Sequence, residues 1–196
     1  MSEEAKEKIL NAAEKEFSVK GFDGARVDKI AKAAGVNKAL IYYYFKSKKE
    51  LLKALYERLV HSGFSSFDLT ALADNLSGQE NEKEHEALHK IISFLDSHRD
   101  IIRIILMESL KGNEENMLLD LADFYIKFAD DGIIENAENL DKKQFMMTEL
   151  FTALIPMICY TLFKDDLQNR ISVSQDEMDH YFMNSMKETH FKSHKK

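Results

Sequence analysis

The chain has 196 residues with one cysteine, one proline and seven glycines, and its formal net charge at pH 7 is −7. A single cysteine excludes an internal disulfide, and so little proline and glycine favours a mostly helical chain, long enough for one large core or two small ones. The N-terminus MSEEAKEKIL has no apolar signal-peptide core, and the longest uncharged run, Leu150–Phe163, is shorter than the ~20 apolar residues that span a bilayer. We therefore expect a soluble, cytoplasmic protein.

The charges are unevenly distributed along the chain. Residues 1–60 carry thirteen Lys/Arg against nine Asp/Glu, whereas the remaining 136 residues carry fourteen against twenty-five. A basic end on an acidic chain is typical of proteins that bind nucleic acid through one part of their length. The negative net charge therefore does not exclude DNA as a partner.

A first amphipathic helix is predicted over about Glu3 to Val19. Ile9, Ala13 and Phe17 form one apolar stripe, and Gly21 is expected to end the helix because glycine tolerates a left-handed backbone. We interpret this helix as a support for the two helices that follow it.

The stretch Val27–Glu50 has the layout of a helix-turn-helix. Apolar side chains recur at helical spacing over Val27–Ala34, Gly35 suits the end of that helix, and Asn37 suits the start of a second helix over about Lys38–Phe45. In a helix-turn-helix the second helix lies in the major groove of DNA.

The second helix is rich in tyrosine and lysine. Three consecutive tyrosines, Tyr42 to Tyr44, cannot all face a core, so at least one ring must point outward. Ile41 and Phe45, four residues apart, are the expected buried pair. Lysines precede and follow the tyrosines, and no acidic residue occurs from the start of this helix until Glu50.

In these residues the chain resembles the TetR/AcrR family of bacterial transcriptional regulators. The matching residues are Ile30-Ala31, Ala34-Gly35-Val36, Ile41-Tyr42, Phe45-Lys46-Ser47-Lys48 and Leu51. The resemblance is dense over Ile9 to about Leu55 and rests beyond that on length and helical pattern. It implies an all-α fold of about nine helices, with a three-helix DNA-binding domain and a larger helical domain that binds a ligand and dimerises. We place these domains at residues 1–47 and 48–196.

The resemblance also implies a set of DNA contacts. Tyr42, Tyr44, Lys46 and Lys48 are expected to contact phosphates, and Tyr43 is expected to contact a base edge. Lys38, Arg26 and Leu40 complete the predicted DNA-binding set.

Three of these positions depart from the family pattern. Arg26 stands where the family has Thr or Ser, so it supplies no capping hydrogen bond and either meets a phosphate or is plainly exposed. Leu40 replaces a small residue or Thr, and we expect it to reach a thymine methyl. Tyr44 replaces His, and a partly buried aromatic cluster is the alternative for it. The operator should differ accordingly.

Further helices are predicted downstream. Ser47–Glu50 and Ser174–Glu177 read as capping boxes, and Asp141–Gln144 as a third. The predicted helices run over about 48–62, from 84, over 99–110, 114–137 and 142–164, and from 174. His190–Lys196 is expected to be a frayed tail.

The segment His85-Glu86-Ala87-Leu88-His89 matches the H-E-x-x-H pattern of zinc proteases, in which both histidines bind zinc and the glutamate activates water. Its surroundings are solvated, and no third ligand is marked downstream. We interpret it as a solvated helix start, and we predict no metal and no cofactor for the chain.

The predicted helix from Lys142 to about Lys164 is apolar on nearly its whole circumference, which requires a second burial partner; a second copy of the chain is the simplest. Pro156 should kink this helix. The expected dimer contacts are Phe145, Met157, Tyr160, Met178, Tyr181, Phe182 and Met186.

Candidate ligand contacts are aromatic, soft or polar-tipped side chains expected on inward faces. They are Met107, Phe124, Tyr125, Phe128, Phe151 and Cys159, with ordinary core packing as the alternative for each. Few charges accompany them, which favours an apolar small-molecule effector.

The leading hypothesis is a dimeric repressor that a small molecule releases from a palindromic operator. We do not expect the protein to be an enzyme. A zinc hydrolase built on H-E-x-x-H, and a helical protein whose basic end binds another protein, are the alternatives.

Overall fold

The computed structural model describes residues 2–66, 82–112, 116–121 and 141–192 of the chain, and no strand occurs among them. The all-α fold class is confirmed. The helices are α1 (Ser2–Gly24), α2 (Val27–Ala34), α3 (Lys38–Phe45), α4 (Lys48–Ser66), α5 (Glu82–Ser97), α6 (Arg99–Ser109), α7 (Lys142–Ile171) and α8 (Gln175–Met186), with a short helical segment over 117–121.

The chain divides into two compact units. Unit 1 comprises Met1–Gly63 with Asp100–Met117, and unit 2 comprises Phe64–Arg99 with Leu118–Lys196. The boundary expected after residue 47 does not coincide with this division, because residues 48–63 of α4 and 100–109 of α6 belong to unit 1. As a functional boundary it stays a prediction.

In unit 1, α1 buries the predicted stripe of Ile9, Ala13 and Phe17. The helix is interrupted where glycine was expected to end it, since Gly21 has φ 68° and ψ 170°, and one further turn carries the chain to Gly24. A positive φ is costly for residues with a Cβ, so this change of direction depends on glycine.

Arg58 of α4 fixes α1 from the side. Its guanidinium donates to Glu7 Oε2 at 3.2 Å and to Asn11 Oδ1 at 2.8 Å, and it also pairs with the Glu14 carboxylate. These partners occupy one side of α1 at spacings of three and four residues, so a single forked side chain ties two helices together.

In unit 2, α5, α7 and α8 pack around an apolar core. Its buried members are Ile92, Ala153, Met157, Tyr160, Met178, Met183 and Met186. The Tyr160 ring stacks on Phe182 with centroids 4.1 Å apart, and its hydroxyl donates to Asp179. Burial together with this carboxylate raises the pKa of the Tyr160 hydroxyl well above its ordinary value.

α7 is regular at both ends and wider in the middle. It is α-helical over Lys142–Thr148 and Ile155–Ile171, with π-helical turns over Glu149–Leu154. The π turns lie directly before Pro156, where proline removes a backbone donor. The kink expected at Pro156 stays a prediction.

The predicted capping box is formed in part at the start of α7 and in full at the start of α8. Asp141 Oδ1 accepts from the Lys143 and Gln144 amides at the start of α7. At the start of α8, the Ser174 hydroxyl accepts from the Glu177 amide while the Glu177 carboxylate accepts from the Ser174 amide, which completes a capping box.

The predicted frayed tail is wrong at its first residue. His190 is 3% exposed and belongs to a π-helical segment, Lys187–Phe191, that continues α8. Burial of this side chain against α7 holds the segment in place.

By length and composition, α7 passes as a helix that could cross a bilayer. The uncharged run Leu150–Phe163, too short alone, lies inside this helix of 30 residues. Half of its most apolar window is buried within the protein, as in a core helix of a water-soluble protein, so this is weak evidence for a membrane span.

Candidate nucleic-acid interface

The α2–turn–α3 unit is closed by backbone hydrogen bonds. Gly35 adopts the left-handed conformation (φ 68°, ψ 30°), and its amide donates back to the carbonyls of Ala31 and Lys32. Asn37 Oδ1 then accepts from the Leu40 amide at 2.8 Å, which starts α3. Gly35 therefore ends α2 and Asn37 starts α3, as predicted.

One face of the pair is buried within unit 1. α2 contributes Ile30 and Ala31, and α3 contributes Ile41 and Phe45, while α1 packs against α2 and α2 against α3. The predicted buried pair on α3 is confirmed. Because this face is fixed, the opposite face of α3 points to solvent.

The tyrosines of α3 differ in exposure. Tyr43 is 77% and Tyr42 41% exposed, so both present their rings to solvent. Tyr44 is half-buried, with its ring 5.3 Å from Tyr43 in an edge contact and 6.1 Å from Phe45. Tyr44 thus lies in a partly buried aromatic cluster, the alternative foreseen for it, and its contact with a phosphate stays a prediction. Leu40 is half-buried as well.

The lysines near the exposed face of α3 differ in their partners. Lys46 follows α3 with φ 52° and is exposed. Lys38 Nζ pairs with Asp28 Oδ1 at 2.8 Å, and this contact joins α3 to α2. The hydrogen bond from Lys38 lowers the pKa of the Asp28 carboxyl and raises that of the Lys38 ammonium.

Arg26 starts α2 without a side-chain cap, as predicted. Its own amide donates instead to Glu16 Oε1 of α1 at 3.3 Å. The Arg26 side chain is exposed, which leaves both expected roles, phosphate contact and plain exposure, as predictions.

Lys48 has a position that the sequence did not predict. Its ammonium donates to the carbonyl oxygens of Phe22 at 2.7 Å, Asp23 at 3.2 Å and Ala25 at 3.2 Å, so all three N–H groups are used within the chain. The nitrogen lies 4.6 Å from the centre of the Phe22 ring. This geometry disfavours the expected phosphate contact.

At the start of α4 the Ser47 hydroxyl accepts from the Glu50 amide at 3.0 Å, which is one of the two bonds of the predicted capping box. The Ser47 amide donates to the Phe45 carbonyl.

The predicted ligand contacts are only partly described. Phe124, Tyr125 and Phe128 lie outside the described residues. The inward placement expected for Met107 and Phe151 is wrong, because these side chains are 58% and 55% exposed. Cys159 is half-buried.

The predicted dimer contacts are largely in the wrong place. Five of them are buried inside unit 2 and are at most 7% exposed: Phe145, Met157, Tyr160, Met178 and Met186. Phe182 is half-buried against the same core, and Tyr181 is exposed. The error has a physical cause: a helix that is apolar all round gives no sequence signal for which side its own unit covers.

The H-E-x-x-H segment lies in α5. Glu86 is exposed and its carboxylate pairs with Lys90 at 2.7 Å, which lowers its pKa, and His89 is exposed too. The position of the His85 side chain lies outside the description. Among the described side chains no group of three metal-ligating residues occurs.

Residues 9–55, which cover α1 to the first half of α4, match the model of the tetR family of bacterial regulatory proteins. YhgD of Bacillus subtilis, an HTH-type transcriptional regulator, is 31% identical over 169 residues, covering 79% of this chain and 84% of YhgD. The regulator YttP of the same organism is 36% identical over 109 residues, and the repressor NicS of Pseudomonas putida 30% over 113. The chain spans about half the length of these last two relatives, 52% and 50%.

Solved structures share the fold. A transcriptional regulator from Streptomyces coelicolor aligns with a TM-score of 0.62 at 19% identity, over 94% of this chain and 97% of that one. FadR from Bacillus subtilis, solved in complex with stearoyl-CoA, aligns with a TM-score of 0.55 at 19% identity, over 93% and 96%. The matched proteins are transcriptional regulators, and no catalytic family is among them. With the helix-turn-helix geometry of α2 and α3, these matches show that the chain belongs to the TetR family of bacterial helix-turn-helix transcriptional regulators.

Proposed function

We propose that the protein is a homodimeric repressor that binds a palindromic DNA operator through α3 and is released from it by an apolar small molecule in the cytoplasm. The exposed tyrosine face of α3, fixed from behind by Ile41 and Phe45, is the observation that carries this proposal.

DNA binding is supported by the composition of that face. Tyr42, Tyr43 and Lys46 present two rings and an exposed ammonium at the C-terminal half of α3, and Arg26 adds a cation at the start of α2. Lysine and arginine neutralise phosphates, whereas tyrosine offers a hydroxyl and an apolar ring to phosphates or base edges. Lys38 and Leu40 lie in the N-terminal half of α3 and complete the proposed contact set.

Dimerisation is supported by an exposed apolar ridge on α7. Met147, Phe151, Phe163, Leu167 and Ile171 are each at least 44% exposed. They lie at multiples of four residues, and half-buried Ile155 and Cys159 fill the gap between them. Residues four apart form an inclined ridge that packs into the groove of a second helix. A second copy of the chain would cover this ridge and repeat α3 about one DNA turn, ~34 Å, away.

Release by a small molecule is supported by the family and by one fold relative. FadR was solved with stearoyl-CoA, a ligand with a long apolar tail. An effector that binds one conformer of the dimer better shifts DNA affinity by tenfold for every ~1.4 kcal/mol of difference.

The decisive experiment selects duplexes from a random pool with the purified protein and sequences them. Recovery of a two-fold symmetric site, bound by a species of two chains, supports the proposal. Failure to enrich any sequence, with the protein shown to be folded, rejects it. Small molecules that co-purify with the protein are then identified by mass spectrometry and tested for release of the selected duplex.

A further inference from the structure

Two lysines from distant parts of unit 1 converge on the turn between α1 and α2. Lys48, the first residue of α4, binds three carbonyls of this turn. Lys111, just after α6, pairs through its Nζ with Asp23 Oδ2 at 2.7 Å and with Glu108 Oε1 at 2.6 Å. We call Phe22, Asp23, Lys48 and Lys111 the turn clamp.

Both ammonium groups lie near the aromatic ring of Phe22. Lys48 Nζ is 4.6 Å and Lys111 Nζ 5.9 Å from its centroid, distances at which a cation is attracted to the face of a ring. The ring also packs against buried Phe17 with centroids 5.6 Å apart, which connects the clamp to the core beneath α1. Each member of the clamp therefore contacts at least one other member.

The clamp meets a need that the backbone creates. After Gly21 the chain turns sharply. The carbonyls of Phe22, Asp23 and Ala25 therefore lack the amide donors that a continuing helix would supply. One ammonium group satisfies all three. Val27, the first residue of α2, follows only two positions after Ala25, so the clamp binds the turn that leads directly into α2.

Lys111 adds a connection to α6. Its backbone is set by the turn after α6, where Gly112 has φ 72° and the Asn116 side chain donates to the Ser109 carbonyl at 3.2 Å. The hydrogen bond from Lys111 lowers the pKa of the Asp23 carboxyl. The end of α6 is thereby held against the turn that precedes the DNA-binding pair.

We propose that Lys48 and Lys111 are positioning residues for DNA binding: they contact no DNA, and they hold the α1–α2 turn so that α2 and α3 are presented in a fixed place. This inference rests on the proposed function and replaces the phosphate contact first expected for Lys48.

Charge-matched variants separate this role from simple electrostatics. Asp23→Asn and Asp28→Asn each remove one negative charge from the DNA-binding unit, and on Coulomb grounds alone each should tighten DNA binding. Under the proposal, Asp28→Asn tightens binding by about twofold because it frees Lys38, whereas Asp23→Asn weakens it about two- to fivefold, as does Lys111→Met. Tighter binding by Asp23→Asn would overturn the role of the Lys111 pair.

The salt dependence separates positioning from phosphate contact for Lys48. Lys48→Met should bind a duplex selected by the wild-type protein about tenfold more weakly, with an unchanged slope of log K against log salt, because no counterion release is lost. Lys46→Gln, an exposed lysine two residues earlier, is the matched control and should lower the slope by about 0.9. The same loss of slope in Lys48→Met would overturn the proposal for this residue.

Hydrogen exchange in the DNA-free protein provides a readout that does not depend on DNA. The amides of Ala25, Lys29 and Ile30, which bond to the Gly21 and Arg26 carbonyls, should exchange faster in Lys48→Met and Lys111→Met than in the wild type. Unchanged exchange rejects the clamp. If the wild type enriches no duplex, the proposed function fails, while faster exchange still establishes the restraint on the turn. If Lys48→Met loses its helical circular dichroism signal and is therefore unfolded, the proposal is tested with Asp23→Asn and Lys111→Met.

Discussion

The Nδ1 atom of His190 lies 2.8 Å from the hydroxyl oxygen of Thr152, where the π-helical continuation of α8 meets the π segment of α7. The Thr152 hydroxyl donates its only hydrogen to the Thr148 carbonyl at 2.7 Å, so it accepts from His190, and Nδ1 carries a proton. The other ring nitrogen, Nε2, lies 3.7 Å from the Glu149 carboxylate. A polar contact between the buried side chain of His190 and the half-buried side chain of Thr152 therefore fastens the π-helical segment after α8 to α7.

His190→Ala should lower the free energy of unfolding by about 2 kcal/mol, because it leaves the buried Glu149 carboxylate and Thr152 oxygen without this imidazole. Urea denaturation followed by circular dichroism measures the change. The matched control is His180→Ala, which removes an exposed histidine that pairs with Asn184 on α8 and should cost under about 0.5 kcal/mol. Equal effects of the two variants would place His190 in a frayed tail after all.

The sequence predicted local features well. Gly35 and Asn37 identified the turn, and Ile41 with Phe45 the buried face of α3, since caps and helical periodicity depend only on residues three or four positions apart. Arg26 was correctly expected to lack a capping bond for the same reason.

Contacts between residues far apart in the chain could not be predicted from the sequence. Lys48 binds carbonyls 23 to 26 positions away and Lys111 pairs with a residue 88 positions away, and no spacing rule marks such partners. A lysine beside a predicted DNA-binding helix is read as a phosphate contact unless the fold shows which carbonyls it meets.

The faces of α7 were mispredicted for a related reason. Met157 and Phe151 are both large apolar side chains, yet the first is buried in unit 2 and the second exposed. Hydrophobicity indicates that a side chain seeks burial, but the partner that covers it depends on the packing of α5 and α8.

Leu40→Ala and Lys46→Gln should affect DNA binding in different ways. Leu40→Ala removes a proposed contact to a thymine methyl, so the preference at one base pair should relax, by about 1–3 kcal/mol. Lys46→Gln removes a proposed phosphate contact and should weaken all duplexes alike. Selection from a random pool followed by binding at several salt concentrations measures both. A uniform loss in both variants would contradict this division.

Removal of the Asp165 carboxylate should change the acid sensitivity of unit 2. Arg99 pairs with Asp165 and lowers its pKa below the ordinary value of 3.8. A depressed carboxyl pKa contributes stability that is complete above 3.8 and is lost as pH falls through the lower, folded-state value. Between pH 6 and 3 the wild type should therefore lose more stability than Asp165→Asn. Urea titrations at both pH values test this, and parallel losses would show that the pair is not formed in solution.

Leu167→Glu should convert the proposed dimer into a monomer. Leu167 is an exposed member of the apolar ridge on α7, and a carboxylate there would be buried unpaired in a pair of packed ridges, at a cost of several kcal/mol. Phe163→Glu, one turn earlier, should do the same. Sedimentation equilibrium should find twice the chain mass of 22.7 kDa for the wild type and a single chain for both variants.

Met107→Glu is the matched control for the ridge, since Met107 is an equally exposed apolar residue of unit 1. It should leave the dimer intact, because in the proposed dimer the second chain covers the ridge alone. The buried core residue Met178 supplies the opposite control, since Met178→Glu should unfold unit 2 and be recognised by loss of helical signal. A dimer that persists in Leu167→Glu and Phe163→Glu but dissociates in Met107→Glu would move the interface from α7 to unit 1.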